Sequence, residues 1–264
     1  MLTRIITALV AIAIFAAVVA LNPIVLQAAL IIVVIAMLYE CNQVMTRSVC
    51  TKAASFISAI LVMTGMAIGE AAPFIVVSIM LFMALTVFLH GKIDHKEIFS
   101  VAFMSRYISL FMSYIGLLRT EYGLCAMLTV FVTAWGSDTG AYFAGSFLGK
   151  HKLIPHVSPK KTVEGAIGGM IAAMLLCQLL LFAAIAFDKN IASLEGMSGF
   201  VKIGAIGIIG SALSQLGDLV ASAIKRDCEV KDYGTIFPGH GGFMDRFDSV
   251  VFIAPLIYYM ITLL

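Results

Sequence analysis

Ile203 to Arg226 reads IGAIGIIGSALSQLGDLVASAIKR. With its flanks it forms an apolar run over 199–224, long enough to cross a bilayer core, which takes about 20 helical residues. Yet the run is not uniformly apolar. Ser214, Asp218, Ser222 and Lys225 follow one another at four, four and three residues, so they stripe one helix face with a hydroxyl, a carboxylate, a hydroxyl and an amine. A charge at membrane depth costs roughly 2.5–3.5 kcal/mol on insertion scales, which makes it a functional residue by default. The stretch therefore reads as a transmembrane helix with a polar face turned to protein or water, ending in the basic pair Lys225-Arg226.

Working outward, the composition fits a bilayer as solvent. Of 264 residues 61% are hydrophobic and 12% are charged, about half the charge of a soluble domain. A water-soluble fold of this size has no interior large enough for that apolar surface. The five cysteines (Cys41, Cys50, Cys125, Cys177, Cys228) are scattered and form no CxxC pair, so they read as structural or incidental thiols rather than a disulfide framework or a zinc site. Ile5 to Leu21 lacks a small-x-small cleavage site and runs through Asn22-Pro23 into another apolar stretch. It reads as a retained helix rather than a signal peptide.

The expected fold is all-α: a polytopic membrane protein of about nine transmembrane helices. The spans are 4–21, 24–40, 53–69, 73–90, 99–118, 122–148, 163–187, 199–224 and 246–264. Connections after the second, fourth, sixth and eighth spans carry the base: Arg47 and Lys52; Lys92 and Lys96; Lys150, Lys152, Lys160 and Lys161; Lys225, Arg226 and Lys231. Those after the odd spans are short or poor in base: Asn22-Pro23, Glu70-Ala71-Ala72, Arg119-Thr120-Glu121, and 188–198 with Asp188, Lys189 and Glu195. Nine spans put every basic connection on one side. The positive-inside rule makes that side, with Arg4 and the N-terminus, cytoplasmic and leaves the C-terminus outside.

The chain divides near residue 120. Residues 1–120 form an N-terminal set of apolar helices, a scaffold with possible lipid access. Residues 121–264 form the working region, with cytoplasmic loops 149–162 and 225–245. In the first part, Ser105, Ser109 and Ser113 recur every four residues as a small-residue packing face, and Arg106 either snorkels to the interface or lines a polar cavity. In the second, Gly165 with Gly169, and Gly204, Gly207 and Gly210, have the spacing of helix contacts. Asp138 shares a face with Trp135 and Tyr142 at membrane depth.

Lys225 to Ser249 reads KRDCEVKDYGTIFPGHGGFMDRFDS, the densest polar segment. Pro238 and Gly239 punctuate a turn, and Gly241 and Gly242 permit close backbone approach to a ligand. The first turn of the ninth span is expected to offer free N–H groups to a phosphate. Asp245 and Asp248 project from one side of that helix. Asp218, Asp245 and Asp248, with Ser222, make an all-oxygen ligand set of the kind Mg²⁺ takes, usually together with substrate phosphates. Lys225, Arg226, Lys231 and Arg246 stand around it, and cations beside acids around a metal describe phosphoryl or nucleotidyl transfer. In the loop GKHKLIPHVSPKKTVEG (149–165), Thr162 is placed to cap the seventh span, with Lys160 and Lys161 available to phosphates; His151 and His156 receive no role.

Ser222 to Asp248, SAIKRDCEVKDYGTIFPGHGGFMDRFD, resembles the signature of CDP-diacylglycerol synthases (phosphatidate cytidylyltransferases): a serine, a Lys-Arg pair, a Lys-Asp pair, a Pro/Gly-x-His-Gly-Gly turn and an Asp-Arg-x-Asp. SDTGAYFAG (137–145) and SPKKTVEG (158–165) resemble the same family. The likeness covers the chain well from about residue 100 onward. It implies that CTP and phosphatidate give CDP-diacylglycerol and pyrophosphate, with Mg²⁺ in a paired-metal site, in a membrane-embedded homodimer. Asp218 and Asp245 would hold metal, with Ser222 and Asp248 as helpers. Asp218, Asp245, Lys225 and Arg226 would be the catalytic set. Asp138, Lys160, Lys161, Lys231, His240, Gly241, Gly242 and Arg246 would bind substrate. A phosphate oxygen of phosphatidate is already anionic near neutral pH, so the obstacle is electrostatic rather than a missing base, and metals and fixed cations answer it.

Phosphatidate and the surrounding lipids lie in the membrane and CTP in the cytosol, so the site is expected at the cytoplasmic face of a cell membrane, and the compact length and lack of a targeting segment point to a bacterial one. No nucleic-acid partner is expected. Two alternatives stand beside this. Another CTP-dependent lipid-phosphate transferase or an isoprenoid-alcohol kinase would lack the full signature. A cation-coupled transporter would carry Asp138 and Asp218 in an ion path, but such proteins show repeated halves with interrupted helices, and this chain shows no internal repeat.

Overall fold

A computed structural model describes residues 2–187, 197–237 and 241–263, with side chains from residue 10 onward. Its described helices are α1 (Leu2–Ala20), α2 (Pro23–Met45), α3 (Val49–Ala67), α4 (Ala71–Phe88), α5 (His95–Glu121), α6 (Gly123–Leu148), α7 (Val163–Phe187), α8 (Met197–Asp227) and α9 (Met244–Leu263). Each falls on an expected span. Among the described residues seven are long and apolar enough to cross a membrane. For α1 the described apolar stretch is Val10–Ala20, and α6 is diluted by the Thr, Gly, Ser and Asp it carries. The protein is an all-α, multi-pass membrane protein. The hairpin formed by β1 (Lys152–Ile154) and β2 (Ser158–Thr162) was not expected; the strands pair antiparallel, Lys152 opposite Thr162 and Ile154 opposite Ser158.

Helix boundaries follow local chemistry. Asn22 accepts the Ile24 amide, and Pro23 opens α2, a position where its missing N–H costs nothing. Ser48 caps α3 by accepting the Thr51 amide. Thr162 caps α7, its Oγ1 accepting the Gly165 amide at 3.1 Å, as the sequence suggested.

By its contacts the chain divides into two units: 1–117 with 227–247, and 118–226 with 248–264. Asp227–Phe247 thus goes with the N-terminal helices rather than with its sequence neighbours. In the first unit, Ala54, Phe82, Ile98, Val101 and Ala102 form an apolar cluster from α3, α4 and α5. Several polar groups there bond across or along helices, since hydrocarbon offers none a partner, while the buried hydroxyls of Thr51 and Ser58 have none among the described residues. Asn42 donates to Ser55 Oγ at 2.5 Å, and Ser105 Oγ donates to the Ser55 carbonyl at 2.7 Å. Ser109 and Ser113 each donate to the carbonyl four residues back, so the serine face is a buried packing face. Arg106 is bonded to protein oxygens. Its guanidinium donates to Ser78 Oγ (3.0 Å), the Ser78 carbonyl (2.5 Å) and the Ala102 carbonyl (2.8 Å), over the Phe82 ring. It ties α5 to α4, and its fork of donors matches that cluster of oxygens.

In the second unit α6 and α7 pack closely because small residues meet. A Cβ on Gly140 would run into Ala172, and one on Gly168 into Ala144. A Cβ on Gly207 would meet the backbone of Met174, bringing α8 against α7. Where these three helices meet, Ser137 and Ser211 share a hydrogen bond of 2.7 Å. The Gln215 side-chain amide donates to Ser137 Oγ (3.3 Å), Ser211 Oγ (3.3 Å) and the Ala166 carbonyl (3.1 Å). That network sets the register of α6 against α8.

Candidate active site

In the second unit the polar stripe of α8 meets the hairpin. Lys161, on β2, places Nζ 2.6 Å from Asp218 Oδ2, with both side chains about a quarter exposed. The same Nζ lies 3.4 Å from the Gln215 carbonyl. Ser222 Oγ donates to Asp218 Oδ1 at 3.3 Å, one turn further along α8. Ser214, one turn back, is buried, and its hydroxyl has no hydrogen-bond partner among the described residues. Lys225 is buried and Arg226 exposed. On α9, Asp248 is 7% exposed; its Oδ1 accepts the Ser249 amide at 2.6 Å. Asp218, Lys225 and Asp138 all lie within electrostatic reach of Asp248. So the structure gathers Asp138, Lys161, Asp218, Ser222, Lys225 and Asp248 within one unit, from α6, β2, α8 and α9. Lys160, the neighbour of Lys161, is exposed.

The hairpin that presents Lys161 is fastened at its base. Glu164 accepts the backbone amides of Lys150 (3.0 Å) and His151 (3.2 Å), and its Oε1 lies 2.6 Å from His151 Nδ1. His151 therefore has a structural partner that its spacing in the sequence did not announce.

In the first unit the approach to α9 is arranged differently from expectation. The amides of Phe243 and Met244, the opening of the helix, are not open to a phosphate. They donate to Glu40 Oε1 (3.0 Å) and Oε2 (2.9 Å). Glu40 comes from the C-terminal part of α2 and is 2% exposed. Gly242 is needed by the same carboxylate, since a Cβ on it, or on Gly234, would collide with Glu40. Gly241 adopts φ +81, a backbone conformation that glycine takes without strain, and a Cβ there would lie 3.0 Å from Asp245 Oδ2. Asp245 Oδ2 accepts the amides of Tyr233 (2.9 Å) and Gly242 (3.0 Å). Lys231 and Arg246 are exposed. His240, with the Pro238-Gly239 turn, lies outside the described residues. Glu40 was missed because it sits in a span read as plain apolar scaffold. The signal was there: it is the one charged residue among those of α2.

Among the described residues no three His, Cys, Asp or Glu side chains gather closely enough to hold a metal ion by themselves. What the second unit offers is three carboxylates, of Asp138, Asp218 and Asp248, and the Ser222 hydroxyl beside the amines of Lys161 and Lys225.

These features define a membrane-embedded helical protein with carboxylates and amines gathered beside a polar hairpin. The chain belongs to the cytidylyltransferase family, whose profile matches residues 2–264. Among its relatives is the phosphatidate cytidylyltransferase of Bacillus subtilis (strain 168), 36% identical over 188 residues, which are 70% of this chain and 66% of that protein. The phosphatidate cytidylyltransferase of Staphylococcus haemolyticus (strain JCSC1435) is 44% identical over 151 residues, 57% of this chain and 54% of its own. That of Staphylococcus aureus (strain COL) is 45% identical over 139 residues, 53% of this chain and 49% of its own. The matched stretches thus span from 49% to 66% of these curated relatives' length.

Proposed function

We propose that this protein transfers the cytidylyl group of CTP to phosphatidate, giving CDP-diacylglycerol and releasing pyrophosphate. One observation carries the reading: Lys161 from the hairpin is held against Asp218 on the polar stripe of α8, with Asp248 and Lys225 in reach, inside a chain of the cytidylyltransferase family. In the reaction an oxygen of the lipid phosphate forms a bond to the α-phosphorus of CTP, and the bond from that phosphorus to the bridging oxygen of pyrophosphate breaks. No proton need be removed from the attacking oxygen. The work left to the protein is to lower the repulsion between two anions and hold them in line. Lys161 and Lys225 would serve that, and the exposed Lys160 and Arg226 add positive charge in the same unit; the resemblance adds Lys231 and Arg246 as substrate-binding residues.

The donor chemistry fits a hard divalent cation such as Mg²⁺. Asp218, Ser222 and Asp248 offer only oxygens, and their small number suits a metal that completes its shell with substrate phosphates and water. Such an ion would neutralise charge on the triphosphate and on the leaving pyrophosphate. The resemblance adds Asp245 as a metal carboxylate, a paired-metal arrangement and a homodimer, which the mass of the solubilised protein checks. By the same reading the site faces the cytoplasm, where CTP is.

The test is transfer of label from CTP, carried on the α-phosphate, into lipid by purified protein with phosphatidate and Mg²⁺, beside a chelator control and Asp218→Asn. We expect lipid-bound label that requires phosphatidate and metal, and a fall of about 100-fold or more in Asp218→Asn. Label that appears only with another lipid phosphate would reassign the acceptor. No transfer to any lipid phosphate by folded protein would end the reading.

A further inference from the structure

Glu40 has no part in the reaction as described, and its setting is costly unless it does something. A carboxylate that is 2% exposed on a membrane helix has given up its hydration, and such a group persists only where hydrogen bonds replace the lost water. Here the replacements are the amides of Phe243 and Met244, 203 and 204 residues away in sequence. Both oxygens are used, so the carboxylate grips the backbone at two points and fixes its orientation as well as its place. The first N–H groups of a helix carry partial positive charge and lack partners within the helix. An acidic side chain is the natural cap, and here it is supplied by a distant helix.

The fit around it is close. Gly234 and Gly242 both lack a side chain where one would strike the Glu40 carboxylate. Next to it, Asp245 Oδ2 draws in the amides of Tyr233 and Gly242. Four backbone amides of one segment, those of Tyr233, Gly242, Phe243 and Met244, thus close onto two carboxylates. Glu40 is the fixed point of that arrangement, because it comes from α2, while Asp245 belongs to the segment being held.

We propose that Glu40 is a positioning residue: it clamps the start of α9 and thereby fixes the pose of Asp245 in the transfer reaction, without touching substrate. This rests on the transferase reading above. Removing its charge then slows the chemical step more than it weakens CTP binding.

The test compares wild type, Glu40→Gln and Glu40→Asp as full-length protein. Gln has the size of Glu, but it must turn its NH₂ toward one of the two amides. Asp keeps the charge and both acceptors at shorter reach. Two readouts are taken: kcat and KM for CTP, and hydrogen exchange of the 242–245 amides. We expect Glu40→Gln to lower kcat by about 10–100-fold, the range for groups that orient others, with KM within about twofold. Exchange should quicken at 242–245 and stay unchanged in α3–α5, and Glu40→Asp should recover much of the loss. Wild-type kcat with unchanged exchange in Glu40→Gln would overturn the proposal. So would a rise in KM matching the loss of kcat, or a loss that Glu40→Asp does not lessen. If wild type itself transfers nothing to lipid, the failure belongs to the reaction, and the exchange result alone then decides whether Glu40 holds the segment.

Discussion

Lys161 has two partners in the structure, Asp218 Oδ2 at 2.6 Å and the Gln215 carbonyl at 3.4 Å. A lysine ammonium on a long stem gives up one anionic partner for another at small cost when both are partly hydrated. In the proposed reaction it would turn to phosphate when a triphosphate is present and leave Asp218 to a metal ion. Lys161→Ala should therefore raise KM for CTP about tenfold, the scale of a hydrogen bond to a charged group, and change kcat less. Initial rates over a CTP series check this, and an unchanged KM would remove Lys161 from the binding set. Glu40 makes the opposite case at the same scale. Its cost in burial is offset by bonds that no exposed residue makes.

Helices pack here by subtraction of side chains. The face of α6 that meets α7 carries Gly136, Gly140 and Gly145, and α7 answers with Gly165, Gly168 and Gly169. Without a hydrophobic drive between helices in lipid, close approach and polar contacts supply the attraction. Gly140→Ala and Gly168→Ala each place a methyl where a methyl already stands, that of Ala172 or Ala144. Each should destabilise the protein by about 1–3 kcal/mol, seen as a lower midpoint of thermal unfolding in detergent. Unchanged midpoints would mean that these helices separate freely. In the proposed site the contact would also set Asp138, which rides on α6, against Lys161, on the hairpin that leads into α7.

At the scale of the whole molecule, the basic connections carry the proposed orientation. Cys50 is exposed and free in the first turn of α3, between Arg47 and Lys52, at a helix end that the proposed topology puts on the cytoplasmic side. With Cys50 as the sole cysteine, a membrane-impermeant maleimide should label inside-out vesicles and spare sealed right-side-out ones. The reverse pattern would invert the topology and put the site on the wrong side for CTP.

Sequence alone determined the membrane class, the place of each helix and the residues of the α8 stripe, because hydropathy, helical spacing and capping are local properties that a chain displays without folding. Ser105, Gly169, Gly207 and Thr162 were legible in this way. Only the tertiary structure decided the partners. The hairpin's Lys161 meeting Asp218, His151 meeting Glu164, and Arg106 tied to Ser78 each join residues that no period links. The amides at the start of α9 read as open to phosphate because nothing within 20 residues claims them. Glu40 claims them from 203 residues away, and a carboxylate finds such partners only when burial forbids it water.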